Sequence, residues 1–548
     1  MKSCINCQSQ FEIRGFDRNF YKKLDLVEPL ECPDCRQQKR LAYRNERILY
    51  KRDCDKCNKK IVSTFSSDKS FPVYCQECFW ADDWDASDFN SEINFEKPFF
   101  DQFYDLMQKV PRLAIVNKQS QNSEYCNYSF ANKNCYLTFG NHYEEDCMYG
   151  HYSTKNKDCM DYLWFYESEL SYGCIFSGKL YRSVYLDHSE GCQDCYFSVD
   201  LKGCKHCLFC SNLRHKEYYI FNKKYSKEDY FKQLESYNFG NFKNFSEAIE
   251  IFKTEFRKKF PVRGVYKVNC ENCEGNNLNN CKNLQNCFDC TACEDCAYGY
   301  QMDETYDSMD MNCMGYDKSE VCYQTIGCSG INNCITCDSC WHNNDLNYCN
   351  LCFNNSSDLF GCISLNKKKH CILNKQYSKE EYEKLVPQII EHMKKTGEWG
   401  EFFQIKYSPF AYNETVAQEY FPLEKNEAFK NGYKWKEKDP KDYQKQTYDV
   451  PLDIKDVKED IIGELLACVD CAKNYKIIDR ELKFYKKLNL PVPRKCPDCR
   501  HLERMTLRSP RKLWDRKCAK CDKDMKASYS NDRPEAVYCQ DCYLQEVV

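Results

Sequence analysis

The chain has 548 residues and a formal net charge of -4, with 42% hydrophobic residues, 30% charged residues and 43 cysteines. This length is enough for several independently packed units. The slightly negative charge argues against binding a polyanion over the whole surface, although it leaves room for a local basic patch. No apolar run is long enough to cross a bilayer, and the first residues enter a cysteine pattern rather than a signal peptide. We therefore expect a cytoplasmic protein without a membrane partner.

Such a high density of cysteines has two interpretations, and the choice between them depends on whether the cellular compartment is reducing or oxidising. In a reducing cytosol they predict metal sites or buried thiols, because disulfides are rare there. The odd total also fits poorly with a fully paired disulfide scaffold. A secreted, disulfide-linked protein is the alternative, and it lacks the expected signal sequence.

The first element of the chain, residues 1–84, contains four C-x2-C pairs and is called the N-terminal module. Adding 464 to each cysteine number gives a cysteine again in residues 461–548, the C-terminal module. Two residues between ligands let a tight turn aim both sulfurs at one Zn²⁺, so each module provides two tetrahedral sites. We predict about four structural zinc ions, bound by Cys4, Cys7, Cys32, Cys35, Cys54, Cys57, Cys75, Cys78, Cys468, Cys471, Cys496, Cys499, Cys518, Cys521, Cys539 and Cys542.

The pairing of these ligands is open at the level of sequence. Consecutive quartets are the simpler arrangement, whereas a cross-brace would join Cys4 and Cys7 to Cys54 and Cys57. No His, Asp or Glu replaces any of the sixteen cysteines, and saturated all-Cys sites are structural rather than catalytic. A module this small has too little core to fold by burial alone, so metal binding becomes folding energy.

The order of motifs in each module resembles a known family. C-x2-C, then Phe20-Tyr21, then Cys32-Pro33-Asp34-Cys35-Arg36 resembles the probable zinc-ribbon domain of uncharacterised bacterial proteins. The stretch from Tyr412 to Pro422 is similar to the long multi-zinc members of that group. The resemblance implies zinc binding and a ribbon-like or treble-clef-like module, and it implies no reaction.

A basic segment lies between the two predicted metal sites of each module. Spacing of four places Arg36, Arg40 and Arg44 on one helical face, where they could follow phosphates. Pro510 shows that the second copy is not one unbroken helix. The alternative is a solvated helix whose arginines pair with nearby acids. We predict RNA or DNA contact without base preference by Arg36, Arg40, Arg44, Arg47, Arg500, Arg504, Arg508 and Arg511.

Two cysteine-rich blocks, 121–235 and 267–395, occupy the middle of the chain. All ten cysteines of the first block fall in one phase of a three-residue period, and at twelve residues per coil one column reads Cys135, Cys147, Cys159, Ser171, Ser183, Cys195 and Cys207. Fixed periodicity predicts a repeat architecture. A narrow parallel β-solenoid explains it, because only small side chains fit inside such a tube. The second block changes phase, so we expect an insertion near Tyr306 to Asn312.

Helices are predicted at the ends of both blocks. Ser226 and Ser378 read as helix N-caps because Asp229 and Glu381 follow three residues later. The connector 85–120 contains a predicted helix over 99–107, and 236–266 is predicted to be helical. The charged stretch 396–460 reads as an extended linker. The fold class is therefore mainly β: two cysteine-rich solenoid-like blocks with capping helices, flanked by small zinc modules.

The run Cys287-x2-Cys290-x2-Cys293-x2-Cys296 also invites an iron–sulfur interpretation. It lacks the C-x3-C-P ending of such runs, and the three-residue period predicts the same spacing without a cluster. Buried thiols behave as small hydrophobes, which suits the inside of a solenoid. We therefore prefer inert ladder thiols to further metal sites.

No constellation for nucleophilic catalysis and no phosphate-binding glycine loop can be placed in the sequence. The sequence predicts a non-enzymatic zinc-binding scaffold or binding protein that contacts nucleic acid through its arginines. Three alternatives stay open: a protein-interaction scaffold using the aromatic outer positions of the solenoids, a thiol-rich metal or redox buffer, and a solenoid enzyme acting on polysaccharide.

Overall fold

The computed structural model describes residues 1–312, 319–320, 323–326, 335, 344–354, 356–437 and 443–547. The chain forms two compact units, each made of two separated segments. Unit 1 combines Met1–Ile115 with Val265–Glu437, and unit 2 combines Val116–Gly264 with Lys438–Val548. The N-terminal module therefore packs with the second cysteine-rich block, and the C-terminal module packs with the first.

Unit 2 is built on one sheet of eleven strands in chain order, called the first ladder. All neighbouring strands are parallel except the last pair, which forms a hairpin. Partners are twelve residues apart, as for His151 opposite Leu163 and Leu163 opposite Ile175. Bridges outside the strands repeat this offset, for example Lys133 with Glu145. The strands are Asn117–Lys118, Ser129–Phe130, Phe139–His142, His151–Thr154, Leu163–Tyr166, Ile175–Gly178, Val184–Asp187, Tyr196–Val199, Lys205–Leu208, Glu217–Ile220 and Lys223–Lys224.

The three-residue period has a backbone cause. From Tyr128 to Phe221, every third residue of the first ladder is in the left-handed region, with φ of 49° at Asp158, 58° at Asp161 and 52° at Trp164. This conformation costs a non-glycine residue about 1–2 kcal/mol, and it bends the chain so that the next residue points inward. Inter-strand hydrogen bonds offset the cost along the whole ladder.

The inside of the first ladder explains the preference for Cys and Ser. Cys159 Sγ lies 3.2 Å from the carbonyl oxygen of Lys157 and 3.5 Å from that of Ser168. Ser168 Oγ donates to the carbonyl of Tyr166 (2.8 Å) and accepts from the N–H of Leu180 (3.0 Å). A small side chain with a polar hydrogen therefore fits the space and serves backbone groups that water does not reach.

Unit 1 contains the second ladder, whose register varies. Parallel partners are eleven residues apart at Lys267 and Leu278, twelve at Gly275 and Cys287, and fourteen at Thr305 and Ser319. The fourteen-residue offset shows that two residues are inserted in this coil. Tyr300 pairs with Asn312 at an offset of twelve and Asn312 pairs with Ile326 at fourteen, so the insertion follows Asn312 and does not lie in the predicted stretch Tyr306 to Asn312. Cys313, Cys322, Cys328, Cys334, Cys337 and Cys340 lie outside the described residues. The ladder strands are Lys267–Val268, Gly275–Asn279, Cys287–Thr291, Thr305–Tyr306, Ser319–Glu320, Asn344–Asn347, Ser357–Phe360, Lys369–Ile372 and Lys375–Gln376.

The predicted helix starts are confirmed. Ser226 Oγ accepts from the N–H of Asp229 (3.0 Å), and Ser378 and Glu381 cap each other. The helix over 99–107 is also present, and it ends before Pro111. Among the described residues, the α-helices of four or more residues are Gly15–Lys23, Pro33–Leu41, Gln76–Phe79, Phe99–Met107, Lys379–Thr396, Ala417–Tyr420 and Lys425–Lys430 in unit 1, and Lys227–Tyr237, Phe242–Ile251, Asp479–Leu488, Pro497–Leu507 and Gln540–Glu546 in unit 2. Phe252–Phe256 is a π-helical continuation of Phe242–Ile251, and Ala86–Phe89 is a short 3-10 helix.

Short antiparallel hairpins complete the modules. They pair Lys2–Ser3 with Gln10–Phe11 and Tyr50–Asp53 with Lys60–Ser63 in the N-terminal module. The equivalent hairpins of the C-terminal module pair Leu466–Ala467 with Asn474–Tyr475 and Trp514–Lys517 with Asp524–Ala527. Two parallel pairs join Val73–Tyr74 to Arg112–Leu113 in unit 1 and Val262–Arg263 to Val537–Tyr538 in unit 2.

The stretch 396–460 is not the extended linker that its charge predicts. In unit 1 it buries Ala428 and Tyr433 against Leu41 and Ala42. In unit 2 its last part buries Ile454 and Val457. The buried apolar residues of the stretch are concentrated between Trp399 and Ala417 and become sparse further along, where the surrounding Lys, Glu and Asp residues conceal them in the sequence. In the described part of the chain, no helix combines the length and apolarity that crossing a membrane requires.

Candidate metal centres

The sixteen predicted ligands form four clusters in which the sulfur atoms lie within 4.8 Å of one another. The clusters are consecutive quartets, so the cross-brace arrangement is excluded. They comprise Cys4, Cys7, Cys32 and Cys35; Cys54, Cys57, Cys75 and Cys78; Cys468, Cys471, Cys496 and Cys499; and Cys518, Cys521, Cys539 and Cys542.

The first C-x2-C pair of each cluster lies in the same tight turn. The N–H of its first cysteine donates to the carbonyl five residues later, at 2.9 Å from Cys4 to Ser9 and from Cys54 to Lys59. The residue after the second cysteine adopts a left-handed conformation in all four turns. That bend brings the two sulfurs together. These residues are Gln8, Asn58, Ala472 and Asp522, with φ of 63°, 58°, 60° and 56°.

The second C-x2-C pair of each cluster begins a helix. Cys32, Cys75, Cys496 and Cys539 are the N-cap residues of the helices that carry the fourth ligands. The positive end of a helix dipole and its unpaired N–H groups favour a thiolate at this place. Each cluster thus combines a hairpin turn with a helix N-terminus.

Backbone donors lower the pKa of Cys54, Cys468 and Cys518, each of which opens a turn. For Cys54, burial raises the pKa, but the N–H groups of Cys57, Cys75 and Lys56 outweigh it and lower the pKa to about 7. The same balance lowers the pKa of Cys518 to about 6 and that of Cys468 to about 7. The thiolate is the form that binds a metal ion, so the turns are prepared for one.

The sulfur geometry fits a tetrahedral ion. A metal–sulfur distance of about 2.3 Å gives a tetrahedron with edges of about 3.8 Å. The sulfurs of Cys7 and Cys32 are 3.6 Å apart, and those of Cys57 and Cys75 are 3.9 Å apart. In the C-terminal module the corresponding distances are 3.7 Å and 3.8 Å. These values exceed a disulfide bond length of about 2.05 Å. Four soft thiolates in this geometry suit Zn²⁺.

The helices that follow these ligands carry the predicted phosphate-binding arginines, and the structure gives those arginines a different role. In unit 1, Arg36 donates through Nε and Nη2 to the carboxylate of Asp310 at 2.9 and 3.0 Å. Arg40 Nε donates to Asn312 Oδ1 at 2.9 Å. Asp310 and Asn312 belong to the second ladder. The arginines therefore attach the module to the ladder of its own unit.

Unit 2 repeats this docking. Arg500 Nε and Arg504 Nη1 donate to the two carboxylate oxygens of Asp161, each at 2.8 Å. Arg500 follows Arg36 by 464 positions, and Asp310 follows Asp161 by 149. Asp161 and Asp310 both occupy left-handed corners of their ladders, with φ of 58° and 60°.

Two other docking contacts are duplicated: the first keeps the offsets of 464 and 149, and in the second the ladder tyrosines are 151 residues apart. Tyr298 donates to Asp17 at 3.0 Å in unit 1, and Tyr149 donates to Glu481 at 2.9 Å in unit 2. The rings of Tyr21 and Tyr323 meet edge to face at 6.0 Å; those of Tyr485 and Tyr172 do so at 6.1 Å. A module together with its ladder is therefore the repeated structural unit.

The nucleic-acid site predicted from the arginines does not match this geometry. Arg36, Arg40 and Arg44 are 3%, 0% and 4% exposed, and Arg500 and Arg504 are 6% and 5% exposed. Arg47 lies 3.6 Å from Glu419, and Arg508 and Arg511 are half-buried beyond the end of their helix at Leu507. A buried guanidinium that faces a carboxylate cannot follow a phosphate backbone. Arginines spaced four residues apart can face either phosphates or carboxylates, so the spacing alone did not distinguish these two partners.

Sequence reasoning missed Asp161 and Asp310. A signal for them was present, since both acids immediately precede a position of the inward-pointing phase and stand in equivalent coils.

One alternative from the sequence gave the aromatic outer positions of the ladders to a protein partner. Two of these residues, Phe197 and Tyr185, instead pack on Phe245 in the helix Phe242–Ile251, with ring centroids 5.6 and 5.9 Å apart.

The central thiols are placed for packing. Burial raises the pKa of Cys126 and of Cys174 to about 12. The sulfurs of Cys287 and Cys290 lie 3.5 and 3.2 Å from the carbonyls two residues earlier. The run from Cys287 to Cys296 is not among the metal-compatible clusters of the described residues.

In comparisons with known proteins, no protein-family profile, curated protein or solved structure matches the chain.

Proposed function

We propose that the protein is a non-enzymatic, zinc-binding scaffold of the cytoplasm, in which two double-zinc modules each hold one cysteine-lined β-solenoid. The observation that carries this proposal is the buried arginine–aspartate contact that joins module to ladder in both units. The arginine directly follows the fourth cysteine ligand of its cluster, as in Cys35-Arg36 and Cys499-Arg500. Metal binding and ladder docking are therefore adjacent along the backbone.

The module architecture supports the zinc assignment. A hairpin turn and a helix N-terminus that share one cluster are similar to zinc ribbons and treble clefs, which bind zinc in closed, structural sites. The twelve-residue parallel register and the inward thiols support a solenoid interpretation of both ladders. Thiols serving as hydrogen-bond donors are in keeping with a reducing compartment.

Two rival functions are less well supported. Nucleic-acid binding through the eight arginines would require the buried ion pairs of Arg36 and Arg500 to break. A metal or redox buffer needs accessible thiolates, whereas burial raises the pKa of thiols such as Cys126 and Cys174 to about 12. Thiols that stay protonated at neutral pH are poor nucleophiles and poor metal ligands.

The outer face of the first ladder is the proposed contact surface for protein partners. Glu145 lies 2.9 Å from Lys133 and 3.7 Å from Lys157, so charges of alternating sign run along this face. The second ladder has a similar pair, Lys282 with Glu294 at 3.2 Å. Exposed ion pairs contribute little stability, and a balanced charged surface suits reversible contacts with partners of complementary pattern.

Affinity capture from native lysate, with and without nuclease, tests the proposal. Full-length protein should retain the same protein partners after nuclease treatment. A variant with Lys133→Glu and Lys157→Glu should lose them while keeping its metal content, because these positions, together with Glu145, then carry only negative charge. Fluorescence anisotropy with labelled RNA and DNA at low salt is the complementary assay. Capture that depends on nucleic acid, or tight salt-dependent binding, would contradict the scaffold proposal.

A further inference from the structure

Unit 1 and unit 2 differ in the sign of three charges beside the docking contact. In unit 1, Lys39 and Glu31 of the module pair at 2.5 Å. Glu401, in the segment that follows the second ladder, is near enough to interact electrostatically with both. The positions 464 residues later hold the opposite charges, Glu503 and Lys495, which lie 3.5 Å apart.

In unit 2 the chain segment that contains the first ladder contributes a positive charge, where unit 1 has the negative charge of Glu401. Lys253, which lies in the helical region beyond the first ladder, forms an ion pair with Glu503. Its side chain is 17% exposed and that of Glu503 is 30% exposed. Lys39 and Glu31 in unit 1 are 17% and 15% exposed. Partial burial keeps these charges from being fully screened by water and salt.

The duplicated contacts cannot tell the two ladders apart. Arg36 and Arg500 meet the same acid in equivalent coils, and the tyrosine pairs are also alike. Specificity requires contacts that differ, including contacts that repel the wrong partner. If the modules changed places, Lys39 would approach Lys253, and Glu503 would approach Glu401. Both wrong combinations place like charges together.

We infer that these reversed charges decide which module docks on which ladder. The N-terminal module is accepted by the second ladder, and the C-terminal module by the first. Correct pairing matters because the four parts alternate along one chain. An exchange within a chain or between two copies would give misassembled or swapped products.

A second contact between module and ladder also differs between the two units. Arg14 of the N-terminal module contacts Glu274 at 3.0 Å and Gln285 at 3.2 Å on the second ladder. The equivalent residue of the C-terminal module is Ile478, and Gln285 corresponds to Tyr136 with the 149-residue offset. Ile478 and Tyr136 both pack against the apolar core of unit 2. A polar contact in one unit is therefore apolar in the other.

Charge exchange in the full-length protein tests the inference. The triple variant Asp470→Asn, Lys495→Glu and Glu503→Lys gives the C-terminal module the charges that the N-terminal one has at these positions, because Asp470, 3.0 Å from Lys495, corresponds to Asn6. Asp470→Asn with Lys495→Gln and Glu503→Gln is the matched neutral control. Calorimetry should show the exchanged variant losing about 3 °C or more in the Tm of unit 2 relative to the neutral control. Adding Lys253→Glu should restore the loss, because the ion pair re-forms with its signs reversed.

Unit 1 provides an independent test with Glu31→Lys and Lys39→Glu, rescued by Glu401→Lys. Metal content of every variant should stay unchanged, and light scattering should show misassembled species only for the exchanged variants. The inference is overturned if exchanged and neutral variants have the same Tm, or if neither Lys253→Glu nor Glu401→Lys restores stability.

Discussion

Arg500 and Asp161 form a buried ion pair in unit 2, with Nε 2.8 Å from Oδ2, and Arg36 and Asp310 repeat it in unit 1 at 2.9 Å. The two pairs come from different parts of a duplicated sequence and have the same chemistry. Each arginine lies one peptide bond from a cysteine of a metal cluster. We therefore expect the state of the metal site to affect the attachment of the ladder.

Removing Asp161 should destabilise unit 2 strongly. Asp161→Ala leaves the guanidinium groups of Arg500 and Arg504 buried without their main counterion, and breaking a buried pair in this way costs about 3–5 kcal/mol. Urea denaturation followed by fluorescence measures the loss. Asp158→Ala is the matched control, because Asp158 pairs with the exposed Lys487 at 3.2 Å and should cost less than about 1 kcal/mol. Similar losses for both variants would contradict the docking role.

Replacing a metal ligand should release the docked helix as well as the metal. Cys496→Ser opens a closed site, so the C-terminal module should unfold and lose one or two equivalents of metal. Hydrogen exchange should then increase around Asp161 in the first ladder, while unit 1 keeps its protection. Cys159→Ser is the control, since Ser171 and Ser183 occupy the same column of the ladder and hydrogen-bond in the same way. Equal damage from both substitutions would refute this local coupling.

Thiol reactivity should separate the central cysteines into two classes. In the metal-loaded protein, Cys270 and Cys273 are half-buried and should be the first of the described ladder thiols to react with a neutral alkylating reagent. Cys126, Cys174 and Cys192 should react only after unfolding, because they are buried. Mass spectrometry of peptides after a short pulse of reagent reads out the order. Rapid labelling of most buried thiols would exclude the packed ladder.

Alkaline pH should weaken the ladders before it affects most other contacts. Burial raises the pKa of Cys126 and Cys174 from 9.0 to about 12. The stabilisation from keeping these thiols neutral is complete below about pH 9 and is lost as pH rises towards 12, because the unfolded chain then binds fewer protons. Unfolding free energy measured from pH 7 to 11 should therefore fall above pH 9. A flat profile would mean that these thiols ionise freely in the folded protein.

Much of the local structure follows from sequence patterns. The C-x2-C spacing predicts all four metal clusters. The three-residue period of residues such as Cys135 and Cys147 predicts stacked coils, but it does not fix their length at twelve residues. The cap at Ser378 is predicted by Glu381 three residues later. These features depend on short-range geometry, which spacing along the chain encodes directly.

The long-range pairing could not be predicted in the same way. Nothing local to Arg36 indicates that its partner is Asp310, 274 residues later. An arginine face reads the same whether it meets phosphate or carboxylate, and the choice depends on which surface the fold brings near. The extended linker predicted over 396–460 failed for a related reason, since Ala428 is buried only because Leu41 and Ala42 are beside it.

Metal content is the most direct test of the central claim, that closed cysteine clusters hold each module in its docking geometry. Elemental analysis of full-length protein purified without added metal should find about four zinc ions per chain. Removal of those ions with a strong chelator should expose Arg500 and Arg36 to solvent, seen as a loss of hydrogen-exchange protection in both docking helices. A zinc content near zero, iron as the dominant metal, or metal-free protein with unchanged protection would contradict the account.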